Sequence, residues 1–140
     1  MKQEIILDTG PLVAVLNRYD AYYHWATSQM ASVQSPVLTC EAVISETYFL
    51  LHNRGLNAQT VIKMVQKGYI KVPFHFDDEV EMVEQLMGKY ANVPMSFADA
   101  CLVRMAELYP NSAVLTLDSD FRIYRKNRNQ VISMIMPDIH

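Results

Sequence analysis

Short apolar runs alternate with longer segments of helical periodicity, and no other feature of this chain constrains its fold so tightly. EIIL at 4–7, VLTC at 37–40, AVLTL at 113–117 and VISMIM at 131–136 have the length of buried strands. Between them lie helical segments such as EAVISETYFLLHN at 41–53 and SFADACLVRMAELY at 96–109. Each return from helix to strand builds a βαβ unit, so the alternation predicts an α/β fold around a mainly parallel sheet.

Local punctuation places the remaining elements. Pro11 suits a first helical turn, which predicts a helix over 11–17, and a second helix is expected over 21–33. Gly55 is placed to close helix 41–53, while Asn57 opens and Gly68 ends a helix over 58–67. Residues 70–74 read as extended. Asp77, Asp78 and Glu79 sit at the positive end of a helix expected to bury Val80, Val83, Met87 and Tyr90. Residues 119–126 read as a turn or short helix before the last strand.

The length of 140 residues fits one domain, expected to span 1–140 with no internal boundary. Apolar residues at 51% and charged residues at 19% exclude a disordered chain. The longest apolar run, within 42–51, is interrupted by Glu46, and MKQEIILD lacks the apolar stretch of a secretory signal. Cys40 and Cys101 match no metal or redox spacing. Together these features point to a cytoplasmic protein. A net charge of −3 argues against a general electrostatic binder of nucleic acid, but not against an enzyme holding a divalent metal.

Ligands of parallel sheets collect beyond the carboxyl ends of the strands, and Asp8, Glu46, Asp99 and Asp118 fall at or near such ends. Phosphodiester hydrolysis assisted by Mg²⁺ or Mn²⁺ needs hard oxygen ligands of this kind from distant segments. Each acid also has a local reading. Asp8 can be a helix cap or turn former, and Asp118 can form an Asx turn with Asp120 close behind. Ser96 and Asp99 fit a capping box as well as a site. Glu46 has only small or apolar helical neighbours (Ala42, Val43, Phe49 and Leu50), which favours a buried site role over a solvated surface one.

ILDTGPL at 6–12, AVISETYFLL at 42–51, SFADACLVRMAE at 96–107 and AVLTLDSDF at 113–121 resemble, in order, the motifs of the PIN-domain family, which includes VapC-like toxins. The resemblance implies an αβα sandwich and a Mg²⁺- or Mn²⁺-dependent endoribonuclease acting on single-stranded RNA. It carries Asp8, Glu46, Asp99 and Asp118 over as catalytic and metal-binding acids, with Thr9, Ser96 and Asp120 in support. Many relatives have Ser or Thr where this chain has Gly10, so a hydroxyl there falls to Thr9. An antitoxin partner and a homodimer built on helices 42–51 and 58–66 are implied too.

The densest basic run holds Arg122, Arg125, Lys126 and Arg128, which reads as a solvated turn or as a grip on the substrate backbone, with the first three as candidate contacts. Two other functions compete with the nuclease reading. One is a non-catalytic RNA- or protein-binding module that keeps the fold. The other, an Asp-nucleophile phosphatase or phospho-receiver, lacks its second acid after Asp8-Thr9-Gly10.

Overall fold

The computed structural model of the chain describes residues 2–34 and 36–138. Met1, Ser35, Ile139 and His140, which the expected unit of 1–140 includes, lie outside the described residues. The chain runs β1 (Glu4–Leu7), α1 (Thr9–Leu16), α2 (Tyr23–Ser32), β2 (Val37–Leu38), α3 (Glu41–Asn53), α4 (Gln59–Gln66) and β3 (Ile70–Lys71). It continues through α5 (Val80–Lys89), α6 (Phe97–Leu108), β4 (Ser112–Leu115), β5 (Arg125–Lys126), β6 (Gln130–Val131) and β7 (Met134–Ile135). Two 3₁₀ turns, Phe76–Asp78 and Ser119–Arg122, precede α5 and β5.

Five strands form one parallel sheet in the order β3-β2-β1-β4-β7. The α/β fold around a parallel sheet expected from the alternation is therefore the observed one, and it fits the αβα sandwich that the resemblance implies. β1 is central because its Ile5, Ile6 and Leu7 are buried, as full enclosure of a parallel strand requires. From β1 the chain first builds outward through β2 and β3, then returns to add β4 and β7 on the other side. The order thus reverses between β1 and β4, and such a switch point opens a crevice at the carboxyl ends of the strands. There the hydroxyl of Thr39 donates to the Leu7 carbonyl at 2.7 Å, tying the end of β2 to β1.

Local chemistry explains most boundaries. α3 has the expected limits, with Glu41 in its first turn, His52 in its last and Gly55 beyond it at φ 71°. Gly68 closes α4 in the same way at φ 82°. α1 starts at Thr9 and not at Pro11, because the Asp8 side chain accepts from the Thr9 N–H and caps the helix there. α5 forms where expected but buries Val83, Leu86 and Tyr90, leaving Val80 and Met87 exposed. Its sequence carries two overlapping apolar stripes, and packing against α6 selects one.

The single last strand expected over 131–136 is two. Val131 pairs with Arg125 in an antiparallel hairpin, which Asn127 and Arg128 turn with φ of 48° and 75°. Met134 and Ile135 then join β4. Among the described residues no helix is long and apolar enough to cross a membrane.

Candidate active site

The switch point between β1 and β4 is a cleft of about 580 Å³ lined by Asp8, Thr9, Glu46, Ser96, Asp99 and Asp118, among others. Asp8 leaves the end of β1 with its N–H still donating to Leu115, so the sheet ladder fixes its backbone. Its carboxylate is held twice, by the Thr9 N–H on Oδ1 at 2.7 Å and the Thr116 hydroxyl on Oδ2 at 2.6 Å. The same Thr116 oxygen accepts from the Asp118 N–H at 2.9 Å. One hydroxyl therefore sets the spacing between two acids that are far apart in sequence.

Asp99 sits in the first turn of α6 and completes the capping box with Ser96. Its N–H donates to the Ser96 hydroxyl at 3.0 Å, and its Oδ2 accepts from the Ser96 N–H at 3.4 Å and from the Tyr124 hydroxyl at 3.0 Å. Asp118 caps the following 3₁₀ turn by accepting from the Asp120 N–H at 2.9 Å. Cap and cleft position coincide in all three aspartates, so the local reading and the site reading hold together. Glu46 reaches the cleft from the middle of α3 and is exposed, not buried as its neighbours suggest. Those neighbours are cleft walls in part: Leu50 lines the acidic cleft, and Phe49 is 60% exposed.

Charge accumulates here without compensation. Burial pushes the Asp8 carboxyl up to about 6, with hydrogen bonds from Thr116 and Thr9 working against it and the charges of Asp99 and Asp118 adding to it. Burial also raises Asp99, against the hydrogen bonds from Ser96 and Tyr124. The Tyr124 phenol is raised by burial and by the neighbouring Asp99, so it stays a donor. Among the described residues no Lys or Arg pairs with any of the four acids.

The donor set fits a hard divalent cation, since all four acids offer carboxylate oxygens. The Thr9 hydroxyl supports that fit, because it is buried beside the cleft with no hydrogen-bond partner. Among the described residues the acids line the cleft without three of them closing on one point as a cation cage.

The other expected residues lie elsewhere. Asp120 does not line the cleft, and its N–H serves Asp118. Arg122 is exposed, and the Arg125 guanidinium donates to the carbonyls of residues 122, 123 and 124. Lys126 reaches the Pro110 carbonyl. The structure brings none of the three to the acids. Two residues absent from the sequence reading hold the site in shape, Thr116 and Tyr124. Thr116, a hydroxyl inside an apolar strand two residues before Asp118, carries a weak local signal; Tyr124 carries none.

The sequence model of the PIN domain family matches residues 5–127. No curated protein matches the sequence. Among solved structures, the fold is similar to that of the Mycobacterium tuberculosis toxin VapC20, described as cleaving the sarcin-ricin loop. That match has a TM-score of 0.77 at 24% identity and covers 84% of this chain and 92% of the toxin.

Proposed function

The chain belongs to the PIN domain family, and we propose that it is a metal-dependent endoribonuclease that hydrolyses single-stranded RNA at the cleft lined by Asp8, Glu46, Asp99 and Asp118. The observation that carries this reading is the convergence of four unpaired carboxylates from four distant segments on one crevice. Acids that only capped helices would have no reason to converge on one crevice. Burying uncompensated charge, as at Asp8 and Asp99, is costly, and a binding function explains why that cost is kept.

Asp8 and Asp99 form the main seat for the cation, and Glu46 and Asp118 complete it. Mg²⁺ or Mn²⁺ bound there would supply an activated water and offset charge on the phosphate oxygens. The protein's own part is orientation. Thr116 and the Thr9 N–H fix the Asp8 carboxylate, while Ser96 and Tyr124 hold Oδ2 of Asp99. Among the described residues no hydrogen bond engages Oδ1 of Asp99, which leaves that oxygen for a ligand. The resemblance in fold to a sarcin-ricin-cleaving toxin supports RNA as the substrate class and an antitoxin as a partner. A homodimer built on α3 and α4, in the cytoplasm, belongs to the same reading.

Cleavage of mixed single-stranded RNAs with Mn²⁺ tests it. Asp8→Asn, Glu46→Gln, Asp99→Asn and Asp118→Asn should each lose most activity while remaining folded. Full activity in any two of them would dismantle the four-acid site, and metal-independent RNA binding without cleavage would make the chain a non-catalytic module.

A further inference from the structure

A nuclease of this kind must hold a polyanion beside four carboxylates, yet among the described residues neither Lys nor Arg lines the acidic cleft. Beyond the cation, contacts to the strand within the cleft must then come from uncharged groups. A second cleft of about 580 Å³ adjoins the first and shares Glu46 and Ser96 with it as a common wall. Its other walls include Phe49 and Phe97, and no Lys or Arg lines it either.

Both rings are unusually open for phenylalanine, Phe49 at 60% and Phe97 at 41% exposure. Phe49 follows Glu46 by one turn of α3, and Phe97 opens α6 two residues before Asp99. Phe97 meets Phe76 edge-on, with ring centroids 4.9 Å apart and planes at 85°. The small side chains of Ala42 and Ala98 also line this cleft.

We infer that Phe49 and Phe97 are a stacking platform for an unpaired base adjoining the scissile phosphate. The inference rests on the ribonuclease reading and extends it, by naming the groups that select single-stranded substrate. Single-strand-binding proteins obtain affinity in this way, because every base offers a π face to an aromatic ring. Continuity through Glu46 and Ser96 favours a nucleotide over a protein side chain as the occupant. A strand with its phosphate at the acids passes directly along this wall.

The test compares wild type with Phe49→Leu, Phe97→Leu, Phe49→Tyr and Phe97→Tyr, each checked by thermal unfolding. Leucine keeps apolar bulk and removes the ring; tyrosine keeps the ring. KM and kcat are measured on mixed-sequence single-stranded RNA with Mn²⁺. Binding is measured by fluorescence anisotropy in an Asp8→Asn background, where the RNA stays intact. Each Leu variant should raise KM and Kd on the order of tenfold with kcat much less affected, and each Tyr variant should restore wild-type values. Binding should also depend only weakly on salt, because few counterions are released.

Leu variants with wild-type KM and Kd, in a protein whose cleavage is abolished by Asp8→Asn, would overturn the platform and leave the nuclease intact. Leu variants that bind RNA normally but change the oligomeric state would assign the rings to a protein interface, which also overturns it. Absence of cleavage by wild type would remove the nuclease reading, and the anisotropy arm would still decide the platform.

Discussion

Two groups of acids in this molecule, one half-buried and one buried, are opposite in their electrostatic fate. On α6 and the turn before α5, Glu79 and Glu107 enclose Arg104, at 2.6 and 3.1 Å. At the carboxyl end of the sheet, Asp8 and Asp99 are 7% and 8% exposed with only hydrogen-bond donors around them. In the first group both carboxylates share one guanidinium, which pins one element to another. The second has no cation beside it among the described residues, and uncompensated charge of this kind marks a place where something charged can be bound. Charge balance, more than burial or acidity, separates structural carboxylates from those of a site.

The comparison breaks most visibly in activity. Asp8→Asn should lose more than about a hundredfold in RNA cleavage, beyond the 10–100-fold typical when only a hydrogen-bond partner of a ligand is removed. Glu79→Gln, equally conservative but in the group paired with Arg104, should cleave like wild type. Equal losses in both would mean that charge balance says nothing about the site.

The next effect is on stability against pH. The Asp8 carboxyl is pushed up to about 6 in the folded protein from the usual value of 3.8. Protonated Asp8 therefore favours the fold. Its contribution is complete below pH 3.8 and is lost as pH rises through about 6, which amounts to roughly 3 kcal/mol. Denaturant unfolding of chelator-treated wild type and Asp8→Asn from pH 4 to 7.5 should show the difference between them changing over that window. Parallel curves would mean that Asp8 titrates normally.

Arg104→Ala should act in the other direction and somewhat less strongly. It leaves Glu79 without its cation and Glu107 with only the Asn127 N–H, and a loss of about 2 kcal/mol is expected after allowing for partial exposure. Divalent metal should leave that loss unchanged, as chemical denaturation with and without Mn²⁺ would establish. The smallest effect belongs to the basic run. With Arg125 turned onto the carbonyls of residues 122, 123 and 124, replacing Arg122, Arg125 and Lys126 by Ala should lower the salt slope of RNA binding by less than about one. A larger drop would restore the run as a grip on the backbone.

Much of this was legible before any coordinates. The parallel sheet follows from apolar runs too short for helices, and α3 has its expected ends because Glu41 and Gly55 mark them locally. The four acids could be picked out because strand ends and family motifs coincide at them. What escaped depends on contacts distant in sequence. Thr116 meets Asp8 across 108 residues, and Tyr124 meets Asp99 from the end of a segment that local propensity reads as a turn or short helix. Glu46 was placed in the cleft for the wrong reason, since the apolar residues around it line open clefts as well as the core. The buried face of α5 is only half legible because two stripes fit one sequence: Val83 and Tyr90 are buried as expected, while Leu86 is buried in place of Val80 and Met87.

Calorimetric titration of Mn²⁺ into chelator-treated protein at pH 7 tests the central claim most directly. Wild type should bind, and at a hundredfold excess over Kd the metal should stabilise the fold by roughly 2.7 kcal/mol. Asp8→Asn should bind far more weakly, and Glu79→Gln should match wild type. Absence of binding to wild type, or undiminished binding to Asp8→Asn, would contradict the account.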